Sequence, residues 1–389
     1  MGEIFKNLTQ IRDVKKRRAF LERKGLSKPE IEKILEEVHI KVKGKKKFPR
    51  ANLMKFDREG LAQASSKYVA EYRTWKMRQR LGPINSSLDV GSGVGGDTIA
   101  MGMRWKVYSV EIDPSTMEML KHNVSVYNLE KNVDFILGDI LNLIDDKKFQ
   151  DKIKEIDCIF FDPSRRSQGK RTVKIEEYDP PLELVEKLKQ FSENVCVKIA
   201  PGVDLSYLTT YDCDIEVISY KGEVKETVLW FGKFKIKLEK NSIIATKLPE
   251  KITLIQESLD YKIPISEYKN YIYEPDPAFI KAHLIGDIAK KYNLFQMSNK
   301  IAYLTSDSFI DTPILKSYNV LAYTNLDYYS INEKLNELNL GKMDFKARGV
   351  SIDLKHIHNK VRGTGKNRGL IIFTKISNKP CAIICKYTK

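Results

Sequence analysis

Between Ser86 and Gly232, short apolar runs alternate with amphipathic stretches, and this alternation narrows the possible folds more than any other feature. The runs are SSLDVG, KVYSVEI, NVDFIL, IDCIFFD, NVCVKIA, DIEVISY and ETVLWFG. Helix-length segments separate the first five, the mark of a parallel α/β sheet. Only KGEVK joins the last two, which suits an antiparallel hairpin at the sheet edge.

The flanks read differently. Ser27 and Glu30 are spaced as a capping box, and Ile31, Ile34, Leu35 and Val38 follow on one helical face. Lys41 to Arg50 (KVKGKKKFPR) has too little apolar content for a core and reads as a basic linker. A second helix over 66–81 is expected to present Val69, Tyr72 and Trp75. Residues beyond 232 start as an irregular connector, and from about 271 strands and helices mix without strict alternation, which suggests an α+β domain. The expected organisation is a basic helical region (1–80), the α/β domain (81–235), a connector (236–270) and the α+β domain (271–389).

Charge adds a partner to this outline. Of the net +16, residues 1–50 carry +9 and residues 340–389 carry +10, so the positive charge sits at the two ends of a near-neutral middle. A polyanion explains such clustering, because each phosphate met by Lys or Arg releases condensed counterions. A lysine-rich solvated surface is the alternative. No segment approaches the ~18 apolar residues of a membrane span, and the N-terminus lacks a signal-peptide core, so a cytoplasmic location is expected. The five cysteines show no C-x-x-C spacing, and Cys158 and Cys196 fall inside apolar runs as buried thiols.

The chemistry is concentrated at strand ends. Leu88-Asp89-Val90-Gly91-Ser92-Gly93-Val94-Gly95-Gly96-Asp97 ends a strand and opens a helix, where glycines permit a sharp turn and close ligand approach. Glu111 closes the next run and is placed to accept from ribose hydroxyls. A dinucleotide is the competing reading for this stretch, in which Gly91, Gly93 and Gly95 alternate. Asp139 follows the third run within reach of an adenine edge, and the fourth ends in Phe160-Phe161-Asp162-Pro163-Ser164-Arg165-Arg166.

As an ordered set, LDVGSGVGGDTIA, VEIDP, LGD and FDPS resemble the motifs of class I S-adenosylmethionine-dependent methyltransferases, more closely the trimethylguanosine-synthase-like group. YEPDPA, YLTSD and KARGV, past residue 270, resemble the C-terminal part of methyltransferases with a THUMP-like domain. The resemblance implies a Rossmann-like class I methyltransferase sheet that binds S-adenosylmethionine. By carry-over, Asp89, Gly91, Gly93 and Gly95 hold the methionine end, Glu111 the ribose and Asp139 the adenine. Asp162 and Pro163 match the motif that engages an amino group to be methylated, Ser164 beside them is the third catalytic candidate, and neither a metal nor a covalent nucleophile is required. The family's second proline and aromatic residue are here Ser164 and Arg165, so the base-stacking platform is missing from that position.

Arg165 and Arg166, with Lys170 and Arg171, form a basic loop that reads as a substrate clamp or as a solvated charge run. Lys346, Arg348, Lys366 and Arg368 lie among glycines, as in a phosphate cradle or an ordinary charged loop. Lys198 ends the fifth strand facing the pocket, and Glu226 is either a family feature or an edge-strand charge. The expectation is an RNA methyltransferase acting on a guanine amino nitrogen, with tRNA favoured. The rivals are a DNA amino-methyltransferase and a non-catalytic RNA-binding scaffold.

Overall fold

Helices α1 (Val14–Glu22) and α2 (Lys28–Gly44) pair through an apolar cluster of Leu8, Leu21, Ile31, Ile34, Leu35 and Val38. The backbone N–H and Oγ of Ser27 both donate to the Glu30 carboxylate, at 2.8 and 2.6 Å, and start α2 where the sequence signals it. The description rests on a computed structural model that covers residues 7, 8, 11, 13–164, 166, 167, 170, 171, 174–257, 261–299, 301–376 and 379–388. Arg165 lies outside the described residues, as do the side chains of Arg166, Lys170 and Arg171.

The stretch expected as a basic linker is instead ordered. Helix α2 runs on to Gly44, and Phe48, 2% exposed, stacks on Phe56 at 5.4 Å. Lys47 Nζ donates to the carbonyls of Leu61, Ala62 and Ala64 at 2.7, 3.1 and 2.6 Å, capping the C-terminal end of α3 (Arg58–Gln63). A lysine that serves as a C-cap looks like linker charge when only composition is counted.

Helix α4 (Lys67–Leu81) buries Val69 and Tyr72 as expected, but Trp75 is 42% exposed. Arg73 and Lys76 take interior positions instead. Lys76 lies over the Trp230 ring at 5.9 Å, and Arg73 answers buried carboxylates.

The chain divides into two compact units, residues 1–215 with 225–242, and residues 216–224 with 243–389. After α4, the first unit runs β1 (Ser86–Val90), α5 (Gly96–Gly102), β2 (Lys106–Glu111), α6 (Pro114–Val126) and β3 (Val133–Leu137). Helices α7 (Ile140–Leu143) and α8 (Lys147–Ile153) lead into β4 (Cys158–Phe161). The short β5 (Arg166–Ser167) and β6 (Lys170–Arg171) pair with each other, and α9 (Leu184–Leu188) precedes β7 (Val195–Ile199). The chain then enters β8 (Asp214–Tyr220), which falls mostly in the second unit, and returns as β9 (Glu223–Trp230) after Lys221 and Gly222 at φ 53 and 77°, the left-handed pair a two-residue hairpin turn needs.

The order in this unit is β9-β7-β4-β1-β2-β3. All neighbours are parallel except β7 and β9, which are antiparallel. The chain leaves β1 to one side for β2 and later returns to its other side for β4. That reversal opens a crevice at the carboxyl ends of β1 and β4, where ligands bind in such sheets. The central strands are largely apolar because helices cover the sheet, and Leu88, Phe161 and Val197 are fully buried. Cys158 and Cys196 are buried free thiols, pushed up by burial.

In the second unit, β10 (Ile243–Leu248) and β11 (Ile252–Ile255) form an antiparallel pair inside the segment expected as a connector. The chain continues as β12 (Tyr271–Pro275), α10 (Pro277–Lys281), α11 (Ile285–Tyr292), β13 (Phe295–Ser298), β14 (Ile301–Ser306) and β15 (Leu315–Asn325). It ends with α12 (Tyr328–Glu337), β16 (Leu340–Ala347), α13 (Leu354–Lys360), β17 (Asn367–Ile376) and β18 (Lys379–Tyr387). Seven of these strands make a sheet ordered β13-β14-β12-β15-β18-β17-β16, the α+β arrangement read from the sequence. Ile331 and Leu335 of α12 and Ile357 of α13 cover one face, against Ile371, Phe373 and Ile384. Among the described residues no helix is long and apolar enough to cross a membrane.

Candidate active site

At the crevice, register brings the two central motifs side by side. Val90 pairs with Phe161, so Gly91 and Asp162 follow on adjacent strands, and Asp162 N–H donates to the Val90 carbonyl at 3.0 Å. Gly91 has φ +79°, and a Cβ there would sit 2.5 Å from the Asp162 carbonyl oxygen. Only glycine permits this approach. A cleft of about 520 Å³ opens here, lined among others by Gly91, Gly93, Glu111, Asp139, Asp162 and Pro163. That volume lies within the roughly 300–1,000 Å³ usual for small-molecule sites.

Asp89 lies beneath the glycine turn, fully buried. Its Oδ2 accepts from Thr98 Oγ1 at 2.5 Å, while Oδ1 has no hydrogen-bond partner among the described residues. Burial pushes its carboxyl up to about 8, opposed by the Thr98 and Ser92 hydroxyls and reinforced by Asp97 and Asp162. Gly95 caps α5, and Gly93 N–H donates to Glu111 Oε2 at 2.8 Å. Glu111 Oε1 accepts from the backbone N–H groups of Ile112 and Asp113, both at 3.0 Å. Asp139 caps α7 through Leu141 N–H at 2.9 Å and faces the same cleft.

Asp162 is ion-paired: Lys198 Nζ donates to its Oδ2 at 2.5 Å and to the Gln63 carbonyl at 3.3 Å. Pro163 is buried, and exposed Ser164 exchanges backbone hydrogen bonds with Asp179. Glu226, expected as a family feature or an edge charge, is a core residue at 2% exposure, bonded to Arg73.

Several functional residues escape the sequence reading. Arg73, 1% exposed, pairs with Asp97 and Glu226, donates to Ser65 Oγ at 2.7 Å and lies over Phe160 at 5.1 Å. Burial opposes the charge of Asp97, but Arg73 and then Lys198 hold its carboxyl below the usual range. Burial raises Glu226 against the pull of Arg73. The signal was present, since Val69, Arg73 and Met77 are four apart and share one helical face. Gly60, Gln63 and Ser65 also line the cleft, so the N-terminal region supplies a wall of the site.

The C-terminal basic residues are partly committed elsewhere. Lys346 pairs with Glu274 and donates to Tyr318 Oη at 2.8 Å, while Arg348 reaches Glu274 at 3.2 Å. Burial works against the Glu274 charge, and Lys346, Tyr318 and Arg348 outweigh it. Arg368 forks onto Asp344 at 2.7 and 3.0 Å, and the exposed Lys366 is held through its backbone N–H by Asn339.

The raised Asp89 value has a measurable consequence. A carboxyl that stays protonated in the folded chain up to about 8, yet ionises near 4 when unfolded, loses stability as pH rises between those values. The slope approaches about 1.4 kcal/mol per pH unit. Thermal melts from pH 5 to 8 should therefore fall more steeply for the wild type than for Asp89→Asn, whose amide does not titrate. Equal slopes would remove the shift.

The donor set fits S-adenosylmethionine. The glycine turn places no side chain over the cleft floor, and beneath it Asp89 Oδ1 is a buried oxygen with no hydrogen-bond partner among the described residues, although neither Asp89 nor Gly95 lines the cleft itself. Residues 84–234 match the family of RNA cap guanine-N2 methyltransferases. Mycobacterium tuberculosis proteins described as uncharacterised S-adenosylmethionine-dependent methyltransferases are 25% identical over 331 residues, spanning 82% of this chain and 84% of theirs. The trimethylguanosine synthase of Schizosaccharomyces pombe is 28% identical over 130 residues, 32% of this chain and 54% of that protein. A crystal structure from Porphyromonas gingivalis described as a methyltransferase has the same fold, with a TM-score of 0.75 at 18% identity over 94% of this chain and 92% of that one. Strand order, glycine turn and these likenesses agree, and the chain belongs to the class I S-adenosylmethionine-dependent methyltransferases.

Proposed function

We propose that this chain is a cytoplasmic RNA methyltransferase that modifies an amino nitrogen of a base, guanine above all, in tRNA or another structured RNA. The observation that carries the reading is the Asp162-Pro163 turn, which opens onto the same cleft as the glycine loop. Asp89, Gly91, Gly93 and Gly95 hold the methionine end of the cofactor, Glu111 its ribose and Asp139 its adenine. Bound there, the cofactor supplies a methyl group on a positively charged sulfur, already activated for transfer.

Asp162 and the Pro163 carbonyl accept the hydrogens of the amino group and so aim its lone pair, with Ser164 at the cleft rim. Positioning of this kind accounts for much of the rate such a site delivers. Arg165 and Arg166 meet the RNA near the target. Residues 271–389 form a THUMP-like RNA-binding domain in which the exposed Lys366 contacts phosphate, and Lys346, Arg348 and Arg368 do so by exchanging their pairs with Glu274 and Asp344; the basic N-terminal 1–80 meets the same RNA. The match of 84–234 to the cap guanine-N2 family supports the choice of atom, and the +9 and +10 ends support the polyanion.

The test is methyl transfer from tritiated cofactor to total small RNA, with parallel RNase and DNase treatment and nucleoside analysis of the product. Label that RNase removes, recovered as an N2-methylated guanosine, is the expected result. DNase-sensitive label would assign the enzyme to DNA. Cofactor binding without label in either nucleic acid would overturn the RNA reading.

A further inference from the structure

Lys198 lies on β7, outside the motifs that define the cleft, yet its Nζ donates to Asp162 Oδ2 at 2.5 Å. Its side chain is 6% exposed, and the carboxylate it holds is 20% exposed. Lys198 binds only Oδ2, and Oδ1 accepts no hydrogen bond among the described residues. The same ammonium acts on Asp97 and Glu226, whose second cation is Arg73. Three carboxylates thus share two cations in a buried cluster. Without Lys198, Asp162 would lose the cation that holds it and would turn towards water.

We propose that Lys198 is the positioning residue for methyl transfer: it clamps Asp162 by Oδ2 so that Oδ1 alone is presented to the N–H of the target amine. This rests on the role proposed above for Asp162. In the step, the amine lone pair forms the N–C bond while the S–C electron pair stays on sulfur. The positive charge left on nitrogen is discharged by loss of one N–H proton to Oδ1, and from there to solvent. A carboxylate with one oxygen occupied has one aim, whereas a free one rotates between many. Lys198 therefore acts on turnover and not on cofactor affinity. Asp89 and Glu111 meet the cofactor on other strands, β1 and β2.

The experiment compares Lys198→Met, Lys198→Arg, Asp162→Asn and the Met/Asn double variant. All are made in the full chain, with the tritiated-cofactor assay on total small RNA and calorimetric titration with S-adenosylhomocysteine. The expected result is a loss of about 100-fold in kcat for Lys198→Met, the size seen when one oriented polar group is removed from an active site. Affinity for S-adenosylhomocysteine should change less than about threefold, and Lys198→Arg should recover part of the rate. Adding Lys198→Met to Asp162→Asn should then cost little more, because the lysine acts through the aspartate.

Unchanged kcat in Lys198→Met, or losses that multiply in the double variant, would overturn the proposal. If Lys198→Met does not fold, Lys198→Arg and the Asn pair decide, since an arginine that keeps the charge but loses all rate recovery also overturns it. Wild-type turnover in Asp162→Asn would instead remove the role of Asp162 itself, a separate failure.

Discussion

Replacing Arg73 with methionine is expected to cost about 3–5 kcal/mol of folding stability, the toll of removing one partner from a buried ionic network. Arg73 is 1% exposed and is the direct partner of both Asp97 and Glu226. Its loss leaves two buried carboxylates with only the more distant Lys198 to answer them. Size is not the cause, since methionine fills much of the same volume. The triple variant Arg73→Met, Asp97→Asn, Glu226→Gln should recover most of the loss, because a neutral cluster has no charge to desolvate. Chemical denaturation of the three proteins measures both effects. A loss under about 1 kcal/mol in the single variant would mean that the carboxylates are not held ionised. Cofactor affinity should fall as well, because Arg73 also anchors Ser65 in the cleft wall and Asp97 at the first turn of α5.

Gly91→Ala is expected to weaken cofactor binding by about 30- to 100-fold, equivalent to about 2–3 kcal/mol. Two costs combine. A left-handed φ of +79° is strained for any residue with a Cβ. That Cβ would also stand 2.5 Å from the Asp162 carbonyl oxygen, a backbone atom that cannot swing aside. The shift therefore reaches the Asp162-Pro163 turn, and turnover at saturating cofactor should fall too. Titration with S-adenosylhomocysteine gives the first effect and the methyl-transfer assay the second. Wild-type affinity in Gly91→Ala would mean that the turn is not the floor of the cofactor site.

Much of the first unit was legible because its signals are local. Apolar runs of four to eight residues report a buried strand, and a glycine turn after the first reports a ligand that approaches backbone. Ser27 with Glu30 announced a helix start three residues apart, and the cap formed as written. Trp75 misled because a large apolar residue on a helix is ordinarily counted inwards. Here the interior demanded cations, and Trp75 was left 42% exposed. Lys41 to Arg50 misled in the opposite way. Its lysines looked solvated, but Lys47 caps backbone carbonyls and Phe48 anchors the turn.

By itself the sequence determined the parallel sheet, the order of the cofactor motifs, the β8–β9 hairpin though not its place at an edge, and the concentration of charge at both ends. Each depends on periodicity, spacing or counting within a short stretch of chain. Only the tertiary structure decided which charges meet. Arg73, Asp97 and Glu226 form one cluster, Lys198 holds Asp162, and residues 60–65 wall the cleft. Lys346 and Arg348, alike in sequence to a free phosphate cradle, already share Glu274. A lysine or a glutamate carries its charge in the sequence but not its partner. The partner is set by burial, because only a side chain removed from water must find an opposite charge.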